Sequence, residues 1–365
     1  MLSRFLPFFM MCVVLASSAR ADSTSAWRIG GMIDAYARHT IDAAFFENLF
    51  NLELAMVDVK YTTSHVRARV ALQAGDYVVR NYDVSAPLPS SFFQIIHAAH
   101  VGVRFGDELW VDVGIMPSHI GNETAISSDN ICYTRSLIAE TSPYYETGAK
   151  VSLQISDGLM AAILALNGWQ NIYDWDSETA FGSLVTVEPG DAWKFGWSTY
   201  IGAAEVDQSQ TPPTTRYFSD LYASFTGGDF TVAAALDIGK QELPIGSRDA
   251  QFETVQAVWY GATLQARWNL DSILRLNARL ETYQDPENVM KRVPRNQFDP
   301  IIPYEVVGAS IGLDVLPRKY TQLRFEGRVL HSPKDIFLKP VGNLIQQEYR
   351  STELWFTAAL VVTIP

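Results

Sequence analysis

Three acids and an arginine crowd one polar stretch, residues 117–143: Glu123, Asp129 and Glu140, with Arg135 among them and His119 at its start. Further arginines, Arg28, Arg67, Arg69, Arg275, Arg279, Arg324 and Arg328, recur near the two ends of the chain on the polar side of alternating segments. Carboxylates on one side of an opening and guanidinium groups on the other would set up a field across it. Such a field orients dipolar solutes and sorts them by charge, because an ion sheds part of its hydration there. Read instead as neighbouring ion pairs, Glu281 and Glu326 against Arg279, Arg324 and Arg328 would simply keep a wall wet. Neither reading makes or breaks a covalent bond.

Reaction chemistry finds little support. Ser118-His119 and His331-Ser332 are adjacent in sequence, so in a strand each pair points to opposite faces. A hydrolase needs the two on one face with an orienting acid or amide. His97 and His100 are likewise separated by strand geometry and give no metal site. Gly30-Gly31 falls inside an alternating segment and is no phosphate-cradling loop. The expectation is therefore no enzyme, no metal and no cofactor.

The elements that would position these residues are strands. Val66, Ala68, Val70 and Leu72 alternate with Arg67, Arg69 and Gln73, and Trp193, Phe195, Trp197 and Ile201 with Lys194, Gly196, Ser198 and Tyr200. Leu274, Leu276, Ala278 and Leu280 alternate with Arg275, Asn277, Arg279 and Glu281, and Leu323, Phe325 and Val329 with Arg324, Glu326 and Arg328. Successive strand residues point to opposite faces, so each segment carries one apolar and one polar side.

A soluble sandwich shows the same alternation, and the connections separate the two. Tight ones at Thr62–Ser64, Gly106–Asp107, Ser156–Gly158, Glu188–Asp191, Thr226–Asp229, Asn269–Ser272 and Leu316–Lys319 alternate with longer polar ones at 38–50, 76–95, 117–143, 169–178, 207–216, 241–251, 285–303 and 332–347. That rhythm predicts an all-β, transmembrane, antiparallel up-and-down barrel of about 16 strands, with turns at one end and loops at the other. A barrel of that size leaves an aqueous channel. The longest structureless connection, 117–143, is expected to fold into the lumen, since such connections inside compact domains are usually functional.

Compartment and composition agree. Arg4, the apolar run Phe5–Leu15 and Ala19-Arg20-Ala21 form a signal peptide over residues 1–21, leaving 22–365 as a single barrel domain. Met11 ahead of Cys12 argues against a lipid anchor. Only Cys132 then remains, so no internal disulfide forms. Losing Arg4 and Arg20 moves the formal charge from −12 to −14, which excludes nucleic acid as a partner. It also argues against tight binding to an anionic membrane surface. Hydrophobic residues make up 48% of the chain and charged ones 19%. Yet after residue 21 no apolar run reaches the length of about 18 residues that a membrane helix needs. Aromatics gather where strands meet connections: Trp27, Tyr61, Trp110, Trp193, Trp268 and Tyr320 towards the turns, and Tyr82, Tyr145, Trp169, Tyr217 and Tyr283 towards the loops. These are expected to form two interfacial girdles.

Gly114-Ile-Met-Pro-Ser-His-Ile-Gly-Asn-Glu, Tyr133-Thr-Arg-Ser, Ser142-Pro-Tyr-Tyr-Glu-Thr-Gly, Asn167-Gly-Trp-Gln170 and Arg279-Leu-Glu-Thr-Tyr-Gln-Asp285 resemble the signature segments of the OmpL-like β-barrel porins of Gram-negative outer membranes. The resemblance is dense over 108–170 and diffuse elsewhere. It implies an outer-membrane barrel, carries no catalytic residue and defines no solute. Many outer-membrane proteins end on an aromatic residue, whereas this chain ends Val362-Thr-Ile-Pro365, with Trp355 and Phe356 further back.

The function expected from all this is a water-filled channel for passive diffusion of small polar solutes, with the lipid bilayer and those solutes as partners. No plug precedes the first alternating segment. Monomer and homotrimer both stay open. The alternative is a surface adhesin or structural barrel with an occluded lumen, and a secreted lectin-type β protein stands third. Within the loop, His119 is read as fixing the turn or as lining the pore. Gly121 and Pro143 set the loop's two ends, and Arg135 ties it to an acid on the wall. The other arginines become one basic wall, since first and last strands are neighbours in a closed barrel.

Overall fold

The computed structural model describes residues 26–41, 50–82, 93–174, 178–203, 214–245, 253–291, 293, 302–339 and 348–365. The expected signal segment, 1–21, lies outside the described residues. The strands in chain order are β1 (Trp27–Thr40), β2 (Phe50–Thr62), β3 (Val66–Ala74), β4 (Ile96–Phe105), β5 (Leu109–Pro117), β6 (Tyr145–Ser156), β7 (Leu159–Leu166), β8 (Ala180–Val187) and β9 (Trp193–Ala203). There follow β10 (Thr215–Gly227), β11 (Phe230–Ile245), β12 (Glu253–Asn269), β13 (Leu274–Asp285), β14 (Tyr304–Arg318) and β15 (Thr321–His331). A small ribbon, β16 (Phe337–Lys339) with β17 (Glu348–Arg350), precedes β18 (Thr352–Ile364).

All but the ribbon close into one antiparallel barrel of 16 strands. The seam joins β1 to β18, in register from Gly31 opposite Ile364 to Thr40 opposite Trp355. Closure gives every strand two partners and leaves no edge, the condition for backbone amides to survive in lipid. The tight connections fall at one end, as the sequence rhythm predicts, and the long ones at the other. In the turn between β12 and β13, Asp271 accepts from the amides of Ile273 and Leu274 at 2.6 and 2.8 Å.

The alternation sorts as expected. Trp197 and Ile201 are 53% and 43% exposed on the outside, while Ser198 and Tyr200 between them are buried inside. Leu221, Leu236, Ile238, Leu264, Leu280 and Ile311 continue the apolar outer surface around the wall. Exposed apolar side chains in such numbers have only one suitable solvent, the hydrocarbon of a bilayer.

Two expectations change. The turn-end girdle holds for Trp27, Trp193, Trp268 and Tyr320, which are exposed, but Trp110 points inward and packs under Arg67, 4.3 Å from its guanidinium carbon. At the loop end only Tyr217 faces out; Tyr82, Tyr145, Trp169 and Tyr283 are buried inside the barrel. The cause is the loops, which fold inward and need apolar packing. Leu164, Leu166, Trp169, Tyr200, Phe218, Tyr222, Trp259 and Tyr283 from the wall meet Ile120, Leu137 and Ile138 of the inward loop in one cluster. The lumen at this level therefore carries a core of its own along β7–β14, and a second apolar cluster lies on the other side, where Met32, Leu54, Met56, Ile115 and Tyr145 of β1–β6 meet Ala125 and Tyr133 of the same loop.

A local distortion sits where that loop leaves the wall. Gly114 of β5 has φ 130°, and a Cβ there would meet the Ala99 carbonyl oxygen at 2.2 Å. Gly148, its direct partner on β6, would strike the Ala165 carbonyl at 2.0 Å. Only glycine fits either position, which explains two of the glycines in the signature segments.

Candidate functional site

Residues 118–144, between β5 and β6, cross the interior and touch strands on nearly every side. Arg267 on β12 donates to the carbonyls of Asn130 and Ile131 at 2.7 and 2.8 Å. Arg324 on β15 donates to Ile131 at 2.7 Å and also to the Ser127 carbonyl. Arg279 on β13 reaches the Thr134 carbonyl and hydroxyl, and Arg328 on β15 the Arg135 carbonyl at 3.1 Å. Acids of the wall take the loop's donors in return. Glu326 accepts from the Thr134 amide at 2.8 Å, Glu281 from the Leu137 amide at 2.7 Å, and Asp34 on β1 from Ser127 and Tyr133 at 2.5 and 3.0 Å. A segment with almost no regular secondary structure must satisfy its backbone groups somehow. Here charged side chains replace a ladder, and charge-assisted hydrogen bonds are the strong kind.

This corrects the expected basic wall. Arg279, Arg324 and Arg328 do not face the loop across an opening; they hold it, each hydrogen-bonded to its backbone and almost wholly buried. Arg279 pairs with Glu281 and Glu326, Arg328 with Glu281, and Arg324 with Asp314. Arg28 and Arg275 stand near the turn end, away from the loop. Arg67 and Arg69 are a separate pair on β3, bidentate to Asp112 and Asp58 respectively.

The loop's own residues divide by role. Arg135 donates to Glu53 on β2 at 2.9 Å and to Glu140 at 2.7 Å, with its guanidinium between the rings of Tyr77 and Tyr144 at 5.3 and 5.5 Å. Tyr77 lies on a short helix, α1 (Asp76–Asn81), whose Arg80 pairs with the other oxygen of Glu53. Burial opposes the charge on Glu140, but the Arg135 and Lys291 charges outweigh it and push the carboxyl down to about 2. Glu123 folds back on its own loop, accepting from the amide and hydroxyl of Ser136, and burial holds its carboxyl above the usual range. Burial also pushes the Cys132 thiol up to about 12. His119 donates from Nδ1 to Glu146 at 2.8 Å and from Nε2 to the Thr199 carbonyl at 2.8 Å. Asp129 is different: with Thr124 it is exposed, where its neighbours in the loop are buried or half-buried, and the charges nearest it are Lys60 and Arg69.

Several residues that matter here escaped the sequence reading. Glu53, Asp34, Asp220, Asp237 and Glu146 are buried carboxylates that receive loop donors. Lys60 and Lys150 add positive charge to the inner face of β2 and β6. The available signal was an acid on the inward phase of an apolar strand, as Asp34 and Asp237 are, since such a group needs an interior partner.

A closed antiparallel barrel of 16 strands, apolar outside and with its third long connection drawn inside, defines the class: an outer-membrane porin-type β-barrel. The chain belongs to the family described as "Putative beta-barrel porin-2, OmpL-like", whose sequence model matches residues 27–364. Among solved structures it is similar to an anion-selective porin from Comamonas acidovorans, at 11% identity and TM-score 0.61, over 92% of this chain and 99% of that one. It is also similar to OmpF of Salmonella typhi in complex with daunomycin, at 11% identity and TM-score 0.61, over 92% and 97%. The outer-membrane-expressed OmpT of Vibrio cholerae matches at 10% identity and TM-score 0.57, over 94% and 99%. At these identities the likeness is one of fold. No curated protein matches the chain in sequence.

Proposed function

We propose that the chain is a porin that lets small polar solutes cross the outer membrane by passive diffusion, reaching that membrane through cleavage of the signal segment 1–21. The route runs beside the inner loop, between its Thr124–Asp129 edge and the inner face of β2–β6. The observation that carries this reading is the exposure of Thr124 and Asp129 in a loop whose other residues are buried or half-buried, with the charges of Lys60 and Arg69 acting on Asp129. The Lys60 and Arg67 side chains are 51% and 34% exposed, unlike the arginines that hold the loop. Acid on the loop and base on this wall form the transverse field that sorts solutes by charge, set on β2–β6 rather than on β13–β15.

A second reading, an adhesin or structural barrel with an occluded lumen, is favoured by the apolar cluster that fills the β7–β14 side. Purified protein in a planar bilayer separates the two. A porin gives stepwise ion conductance that graded sugars reduce up to a cut-off size; an occluded barrel gives no steps. As the assembly we propose a homotrimer, in keeping with a related Vibrio cholerae barrel that is described in a trimer form. Native mass spectrometry from detergent tests it, and a monomer mass would refute it.

A further inference from the structure

The inner loop leaves and rejoins the wall at neighbouring places, and both are held by groups that need protons. At its start, Nδ1 and Nε2 of His119 each lie 2.8 Å from an acceptor, the Glu146 carboxylate and the Thr199 carbonyl. A neutral imidazole has one N–H and one lone pair, so it can satisfy only one of these; the imidazolium satisfies both. Two residues on, the Gly121 amide donates to Asp220 Oδ1 on β10 at 3.2 Å, and Ser198 on β9 reaches the same oxygen at 3.3 Å. At the loop's end, Ser142 Oγ lies 3.1 Å from Asp237 Oδ2 on β11 and 2.6 Å from the Ile138 carbonyl oxygen.

Asp220 and Asp237 are direct cross-strand partners, and both are buried. The oxygens left without any donor are one from each, Asp220 Oδ2 and Asp237 Oδ1. A single O–H shared between the two carboxyls supplies both, whereas two buried carboxylates in direct opposition repel. Beside them is a cavity of about 10 Å³, bounded by Gly121, Glu123, Ser142, Asp220 and Asp237. That is room for about one water molecule.

We propose that His119 and the Asp220–Asp237 pair form a proton-operated latch that docks both ends of the inner loop on β9–β11 and releases them when the medium turns alkaline. The inference rests on the reading of this loop as the channel's constriction. The groups facing the latch set its sign. His119 faces Glu146 and Lys150 of β6 and Asp220 of β10; the aspartate pair faces His119, Glu123 of the loop, Tyr222 of β10 and Tyr283 of β13. Burial opposes the imidazolium, but the Glu146 charge and hydrogen bonds outweigh it and hold His119 above its ordinary 6.5. Its contribution to docking is therefore complete below 6.5 and is lost as pH rises through the raised value.

Two measurements on the full-length mature protein test this. The first is histidine-selective NMR in detergent, with the His119 signal assigned by its loss in His119→Gln. The latch requires a doubly protonated ring at about pH 7.5, titrating above the free-histidine range. The second is channel recording between about pH 6 and pH 10, comparing wild type with Asp237→Asn. The asparagine amide donates to Asp220 without a proton to lose. Loop-dependent current fluctuations should then begin at a pH higher by about one unit or more. A neutral His119 at pH 7.5, or the same onset in both proteins, overturns the latch. A barrel that conducts no ions refutes the channel reading instead, and the NMR measurement still decides the protonation.

Discussion

Replacing Arg135 by methionine is the sharpest probe of how the inner loop is held. The guanidinium is buried and makes ion pairs of 2.9 and 2.7 Å with Glu53 and Glu140 between two tyrosine rings. Removing one partner of a buried pair costs about 3–5 kcal/mol, because the other charge stays behind unpaired. Arg80 also contacts Glu53, so the lower end applies; since its side chain is 40% exposed, it offsets only part of the loss. A cost of about 3 kcal/mol raises the undocked fraction of this loop segment by roughly two powers of ten. Cys132, the only cysteine among the described residues and three positions away, reports it directly, being buried with its thiol pushed up to about 12. Labelling by a neutral maleimide at fixed pH should quicken about a hundredfold in Arg135→Met, because the rate follows the open population when reclosing is fast. Arg28→Met, at the exposed turn end, should label like wild type. Combining Arg135→Met with Glu53→Gln should cost less than the two separately, since they remove one shared interaction. If Arg135→Met keeps its heat-modifiable gel mobility and labels at the wild-type rate, the ion pair does not hold the loop.

Glu281 accepts from Arg279, Arg328 and the Leu137 amide, so Glu281→Gln should lower the unfolding midpoint in detergent more than Glu305→Gln at the half-exposed start of β14 does. Equal midpoints would show that Glu281 is dispensable. Asp129→Lys should move the reversal potential in a salt gradient towards anions, while Glu123→Gln, turned back on Ser136, should leave it in place; the opposite ranking would put the eyelet elsewhere. Glu140 is held down to about 2 against an ordinary 4.5, so its contribution to docking is complete above 4.5 and is lost as pH falls through 2. Pepsin should accordingly cut within 118–144 faster in Glu140→Gln than in wild type at pH values between these, and no difference would contradict the pairing.

The barrel was legible because its two signals are local. Alternation over each strand tells which face a residue takes, and turn chemistry tells where the chain reverses; neither depends on distant partners. Arg279 and Arg328 lie on the inward phase of β13 and β15, next to Glu281 and Glu326, where alternation alone places them. Their role was not legible, because period-2 patterning says nothing of what lies across the lumen. An irregular loop of twenty-odd residues has no period from which its path can be read. Once it lies against β12–β15, the arginines that would have faced it across water become its hydrogen-bond donors.

The aromatic residues carry the same lesson from the apolar side. Tyr82, Tyr145, Trp169 and Tyr283 stand at strand ends just as girdle residues do, and composition alone cannot distinguish the phase that faces lipid from the phase that packs a loop. Parity along the strand does distinguish them. On β13, Tyr283 shares the phase of Arg279 and Glu281 and so had to point inward with them, whereas Tyr217 on β10 shares that of Leu221 and points to lipid. Trp355 and Phe356 split in the same way on β18, one buried inside and one 52% exposed. An aromatic residue among inward-facing charges thus marks where a barrel builds a second core. In this chain that second core, together with the arginines, fixes the inner loop.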